Sequence, residues 1–90
     1  MPKTHELKTW PSFYEAILRG EKTFEARRND RDFAVGDKLQ LREFDPGKDC
    51  CTAAFKYTGR MMTCEVTYIL HGGQWGVESG FCIMAFKRLS

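Results

Sequence analysis

The feature that most restricts what this chain can fold into is the run Met61 to Leu70. Met62, Cys64, Val66, Tyr68 and Leu70 fall on one parity, and Met61, Thr63, Glu65, Thr67 and Ile69 on the other. No Pro or Gly interrupts it, so the run predicts a long strand with one strongly apolar face. A strand this long leaves a row of backbone N–H and C=O groups that must find partners. The rest of the chain must therefore supply a sheet.

Candidate partners are present. In Lys38 to Phe44, Leu39 and Leu41 face in while Lys38, Gln40 and Arg42 face out, which predicts a half-buried strand. Phe81 to Leu89 is apolar on both parities, so a helix or the closing of a barrel should cover its second side. Thr4 to Trp10 predicts a short first strand with Leu7 inward. Cys50 to Tyr57 reads as an irregular or edge strand. Thr58-Gly59 reads as a hairpin turn that sets Ala53 to Tyr57 antiparallel to Arg60 onward.

Residues 11 to 19 predict one helix. Pro11 suits its first position, because the missing N–H costs nothing there. Phe13 and Ile17, with Tyr14 and Leu18, form a broad apolar face, and Gly20 is the stop. So short a helix needs a sheet to lean on. There is no repeated strand-helix-strand unit. The expected fold is mainly β with one short N-terminal helix, arranged as a small, partly closed β-barrel with the helix at its rim. Closure would protect the edge strands. An open α+β sheet is the alternative.

Ninety residues predict a single domain spanning 1–90. The start, Met-Pro-Lys-Thr-His-Glu, lacks the apolar run of a signal peptide, and no stretch is long enough to span a bilayer. A cytoplasmic location and no membrane partner are expected. The four cysteines include no Cys-x-x-Cys, and His5 and His71 lie at no metal-ligand spacing from them. Cys64 and Cys82 read as small buried hydrophobes in a reducing compartment. No metal or cofactor is expected. A net charge of +2 admits nucleic acid only through a local patch.

The chemistry is concentrated in Gly20 to Arg31. If 22 to 28 is extended, Thr23, Glu25 and Arg27 share one face, with Phe24 and Ala26 opposite. Lys22 falls on the Phe24 parity and reaches the polar face only from an irregular strand start. Two readings stand: a polar cleft centred on Glu25 and Arg27 with Lys22 at its rim, or a solvated strand face with an ion pair. Trp10 either plugs one end of the core or lines a pocket for a flat ligand such as a base. His5, isolated in sequence, reads as structural or exposed. The loop His71-Gly72-Gly73-Gln74-Trp75-Gly76 has glycines for a sharp turn, but neither phosphate-binding glycine motif.

The run Gly20-x-Lys22-Thr23-x-Glu25-x-Arg27 resembles the signature of the ASCH domain, a branch of the PUA-like superfamily. It is preceded by His5-x-Leu7-Lys8-x-Trp10-Pro11, Phe13 and Ala16-Ile17. It is followed by Asn29-Asp30-Arg31, Val35-Gly36-Asp37 and Arg42-Glu43-Phe44-Asp45. Together these resemble the small phage and bacterial DUF3850 group of ASCH-like proteins. The resemblance covers residues 4 to 89 and is weakest across 48 to 60. It implies a PUA-like β-barrel with Lys22, Glu25 and Arg27 at a cleft beside the helix, and RNA or a nucleoside as partner. In such a binding module Arg27, Arg28 and Arg31 would meet phosphate or a base edge. Lys22 would add a mobile charge, and Glu25 would accept from a base amino group or hold Arg27. Trp10 or Trp75 would stack on a base.

Two alternatives stand beside the binding reading, and the resemblance itself implies the first. Some small ASCH proteins are amidohydrolases that remove the acetyl group from N4-acetylcytidine. Here Glu25 occupies the position of their threonine nucleophile, and the loop from His71 to Gly80 lacks the helical segment that carries their distant glutamate. A different hydrolysis would use Glu25 as general base and Lys22 to stabilise an oxyanion, making Lys22 and Glu25 the catalytic candidates. The other alternative is a phage-encoded protein-interaction module anchored at Trp75, provided that Trp75 does not fold back over the last strand.

Overall fold

A computed structural model describes residues 2–46 and 56–89. The elements run β1 (Thr4–Thr9), α1 (Pro11–Leu18), β2 (Phe24–Arg28), β3 (Lys38–Asp45), β4 (Lys56–His71) and β5 (Phe81–Arg88). The strands form one mixed sheet in the order β1-β3-β4-β5-β2. β1 runs parallel to β3, and every other pairing is antiparallel.

The sheet curls into an open half-barrel with β1 and β2 as unpaired edges, so the expected β-barrel is not formed. The two edges, β1 and β2, come together without a backbone ladder. The Lys3 carbonyl accepts from the Lys38 N–H, which fixes odd-numbered β1 residues toward β3 and leaves the Glu6 and Lys8 carbonyls on the free edge. Those two oxygens take guanidinium groups instead. Arg31 Nη1 donates to the Glu6 carbonyl at 2.7 Å, and Arg27 Nη2 donates to that of Lys8. Two arginines stand where a closing ladder would be.

The core lies on the concave face beneath α1. Leu7, Leu39, Leu41, Met62, Val66 and Met84 are all buried there, and α1 adds Tyr14 and Ile17. Cys64 and Cys82 are buried free thiols, and burial pushes Cys64 up to about 11. No helix among the described residues is long and apolar enough to cross a membrane.

Two bulges in β4 alter the expected strand pattern. The register passes from Arg42↔Met61 to Phe44↔Tyr57, so Thr58, Gly59 and Arg60 together face Glu43. Thr58-Gly59 is thus an irregularity inside one long strand rather than a hairpin turn. Gly59 adopts φ +97°, a conformation that disfavours residues with a Cβ. Of the expected strand Cys50 to Tyr57, residues 50–55 lie outside the described residues, and Lys56 and Tyr57 belong to β4. A second shift, between Val66 and Tyr68, inserts one residue opposite β5. The inserted residue flips the alternation. Ile69, not Tyr68, therefore joins Met62, Cys64 and Val66 inside, and Tyr68 is exposed.

His5 is structural. Its Nε2 lies 2.8 Å from Asp37 Oδ2 in a buried pair, and its ring packs edge-on to Phe33 at 4.6 Å. Asp37 also accepts from the Lys3 and Ala34 N–H groups. This latch ties β1 to the Gly36-Asp37 turn that opens β3.

Candidate functional site

The candidate site is the seam between the β1 and β2 edges, beside α1. β2 places its side chains by simple alternation. Glu25 is buried and Arg27 half-buried on the concave side, next to Met84 and Cys82 of β5, while Phe24 and Ala26 are exposed. Lys22 precedes β2 and is free of its parity. Its Nζ reaches Glu25 Oε1 at 3.0 Å and the Phe24 carbonyl at 2.7 Å. Arg27 Nε donates to Glu25 Oε2 at 2.8 Å. The carboxylate, only 7% exposed, is gripped from both sides by cations.

These groups border a cavity of about 420 Å³. Glu25, Arg27 and Thr9 line it from the concave side. Trp10, Phe13 and Phe44 supply an aromatic wall, and Lys8, Arg28, Ala26 and Phe81 complete the rim. Trp10 is 47% exposed, so it lines the cavity instead of plugging the core. Two cations are held over rings: Lys8 Nζ lies 4.6 Å from the Phe44 centroid, and Arg28 Cζ 4.8 Å from that of Phe81. A smaller recess of about 250 Å³ adjoins, bounded by Phe13, Lys22, Phe24, Glu25 and Ala26. Lys22 Nζ lies near both of its rings, 5.3 Å from Phe13 and 5.1 Å from Phe24.

Of the residues singled out from sequence, Glu25, Arg27, Arg28 and Trp10 share the larger cavity, and Lys22 lines the recess beside it. Arg31 lines neither; it braces the β1 edge. Thr23 is exposed and lines neither, and its carbonyl accepts from the Phe86 N–H. Trp75 does not fold back. It is 86% exposed, at φ 51°, on a tight turn closed by the Gln74↔Val77 bridge.

A family model described as a domain of unknown function, DUF3850, matches residues 4–86. The chain belongs to the DUF3850 family. Among its relatives is a protein of Escherichia phage P2 described as an uncharacterized 12.9 kDa protein in the GpA 3' region. The two are 31% identical over 75 residues, or 83% of this chain. The chain spans 62% of that relative's length.

In this DUF3850 domain, sequence reasoning missed Lys8, Thr9, Phe13 and Phe44 as cavity residues. The helical spacing puts Phe13 on the broad apolar face with Ile17, yet it is half exposed and its ring walls the cavity. Lys8 carried a usable signal, since it has outward parity two residues before Trp10. Thr9 is only 2% exposed, and its Oγ1 is the one buried side-chain polar atom without a hydrogen-bond partner among the described residues.

A second polar network lies on the other side of α1. Arg60 pairs with Glu43 through Nε at 2.9 Å and Nη2 at 3.0 Å, and Nη2 also pairs with Glu15. Thr58 Oγ1 donates to Glu43 at 2.6 Å. The Arg60 guanidinium lies 4.8 Å from the Tyr14 ring centroid. These bonds, Arg60 foremost, hold the Glu43 carboxyl below its ordinary range against the opposing effect of burial. Both Glu43 oxygens accept from the protein itself, Oε1 from two donors and Oε2 from one, and the network ties the bulge of β4 to α1.

Proposed function

We propose that this domain binds single-stranded RNA by admitting one base into the seam cleft. The observation that carries the reading is the convergence of a buried carboxylate, its two cations and an exposed tryptophan on one recess. The resemblance of Gly20 to Arg27 to the ASCH signature supports the same reading, with a PUA-like ancestry for the half-barrel.

The chemistry follows from what the site leaves unused. A base is flat, apolar on its faces and polar on its edge. Trp10 and Phe13 offer ring faces, and stacking of this kind tolerates any base. Each Glu25 oxygen accepts one hydrogen bond from a cation and retains a lone pair for an exocyclic amino group. Arg27 Nη1 has no protein partner among the described residues and can donate to a base carbonyl or a phosphate. Lys8 and Arg28 at the rim outnumber the acidic groups there and favour a phosphate.

The test is fluorescence anisotropy of labelled single-stranded RNA over a salt series, with single-stranded DNA alongside. Arg28→Ala, which removes a rim cation held only over a ring, should weaken binding and reduce the salt slope by about 0.7. Arg27→Ala should abolish binding. Unchanged affinity and slope in both variants would overturn the assignment.

A second reading, a phage-encoded protein-interaction module, is favoured by Trp75. A Cβ on Gly72 would lie 2.1 Å from the Glu78 carbonyl oxygen, so the loop base is packed to the limit of a glycine. A tightly built turn that displays a bare indole suits an interface anchor. Capture of a specific host protein by wild type and not by Trp75→Ala supports it; equal capture by both overturns it.

A further inference from the structure

The aromatic wall of the cleft does not stop at Phe44. The Trp10 and Phe44 centroids lie 6.3 Å apart, and Phe44 meets Tyr57 edge-on at 5.2 Å. Phe44 and Tyr57 are direct partners on the β3–β4 ladder, just beyond the bulge at 58–60. A row of three rings therefore leads from inside the cleft onto the outer surface. Two of the rings carry a cation. Lys8 Nζ sits 4.6 Å from Phe44, and Arg42 Cζ sits 3.7 Å from Tyr57. Arg42 Nη1 also donates to Glu6 at 3.0 Å, which fixes the guanidinium on the ring and leaves its other N–H groups available.

Core packing does not account for this row. None of the three rings belongs to the buried core, and Trp10 and Tyr57 are exposed. A solvated face accounts for single cation–ring pairs, but not for a run of three contiguous rings that begins inside the cleft.

We infer that Phe44, Tyr57 and Arg42 form a second subsite for the same ligand. That ligand is then a polynucleotide strand of at least two nucleotides, not a free nucleoside. The inference rests on the base-binding reading of the cleft. A strand carries π faces and phosphates side by side, and along this row two of the three rings carry a cation beside them. Lys8 lies over Phe44 at the rim of the cleft, within reach of the phosphate that joins the first base to the second. Arg42 stands at Tyr57, where the next phosphate follows. The rings hold both cations in place before binding, which lowers the ordering entropy lost on association.

The experiment is isothermal titration calorimetry with uridine and adenosine monophosphates and with their single-stranded oligomers of two, three and five nucleotides. Wild type is compared with Tyr57→Leu and Arg42→Gln, each checked for folding by circular dichroism. Affinity should rise roughly tenfold or more from one to three nucleotides. Each variant should lower trinucleotide affinity severalfold more than mononucleotide affinity. A flat length series with mononucleotide binding intact overturns the second subsite and spares the cleft. A steep length series that neither variant disturbs also overturns it, because the gain then comes from elsewhere. Absence of binding at every length overturns the cleft reading and, with it, the subsite.

Discussion

Thr9→Val changes one oxygen for one methyl at the cavity floor, and the structure predicts opposite signs for its two effects. Thr9 is 2% exposed, and its Oγ1 is buried without a protein partner among the described residues. A hydroxyl buried without a hydrogen bond costs roughly 1–3 kcal/mol. Valine keeps the branched shape and suits a strand, so it removes that penalty without opening a void. Taking the low end, the free protein should gain about 1 kcal/mol, which for a domain of this size raises Tm by roughly 4–8 °C. Binding should move the other way. A ligand that gives the hydroxyl its missing partner loses about 1 kcal/mol in the variant, roughly fivefold in Kd. Thermal unfolding by circular dichroism reads the first effect and RNA anisotropy the second. A Tm that stays level or falls would refute the orphaned hydroxyl. A raised Tm with unchanged affinity would refute its role in the ligand's recognition.

The remaining predictions concern the charges. Glu25→Gln leaves Lys22 and Arg27, both largely shielded from solvent, without their counter-charge, and should destabilise the fold by about 2 kcal/mol in urea unfolding. An equally stable variant would mean that the triad is solvent-screened. Acid should also unfold the protein through two other carboxylates. Burial pushes Asp37 up, but the Lys3 and Ala34 amides and His5 outweigh it, so it titrates below its ordinary 3.8. Arg60 foremost holds Glu43 below its ordinary 4.5. Both folded-state values are depressed, so the stabilisation is complete above the ordinary values and is lost as pH falls through the folded ones. Urea midpoints should hold near neutrality and drop below about pH 4, and Glu43→Gln should flatten that drop. A drop of the same size in Glu43→Gln would remove Glu43 from the account.

What the sequence revealed and what it hid divide along a physical line. Alternation within β2 depends only on backbone geometry, so the separation of Glu25 and Arg27 from Phe24 and Ala26 was legible. Lys22 was not, because its direction is set by a turn before the strand and by a carboxylate three residues on. The bulges were hidden for another reason. Thr58-Gly59 has good local turn chemistry, yet the long β3–β4 ladder dictates the path and uses the glycine inside a strand. The extra residue between Val66 and Tyr68 leaves no mark in a pattern that alternates smoothly through it. Phe13 shows the limit of hydrophobicity itself. An apolar residue bound for a cleft wall and one bound for a core look alike until the neighbouring surface exists.

The unclosed seam and the site have one cause. Zipping β1 directly to β2 would shut Glu25 and its two cations in a dry interior. Taking three charges out of water is repaid only if the geometry is excellent and every remaining donor and acceptor is satisfied. Stopping short leaves Glu25 and Arg27 on the wall of an open recess. The stop exposes edge carbonyls, which invite pairing with another chain. Arg27 answers both problems at once: Nε holds the carboxylate while Nη2 covers the Lys8 carbonyl across the gap. Arg31 repeats the second task one register along, at Glu6. A guanidinium can do this because its donors are fixed in a planar fork, whereas a lysine ammonium has no such geometry. The residue that keeps the half-barrel's edge quiet is thus also the one that leaves an open recess with a spare donor.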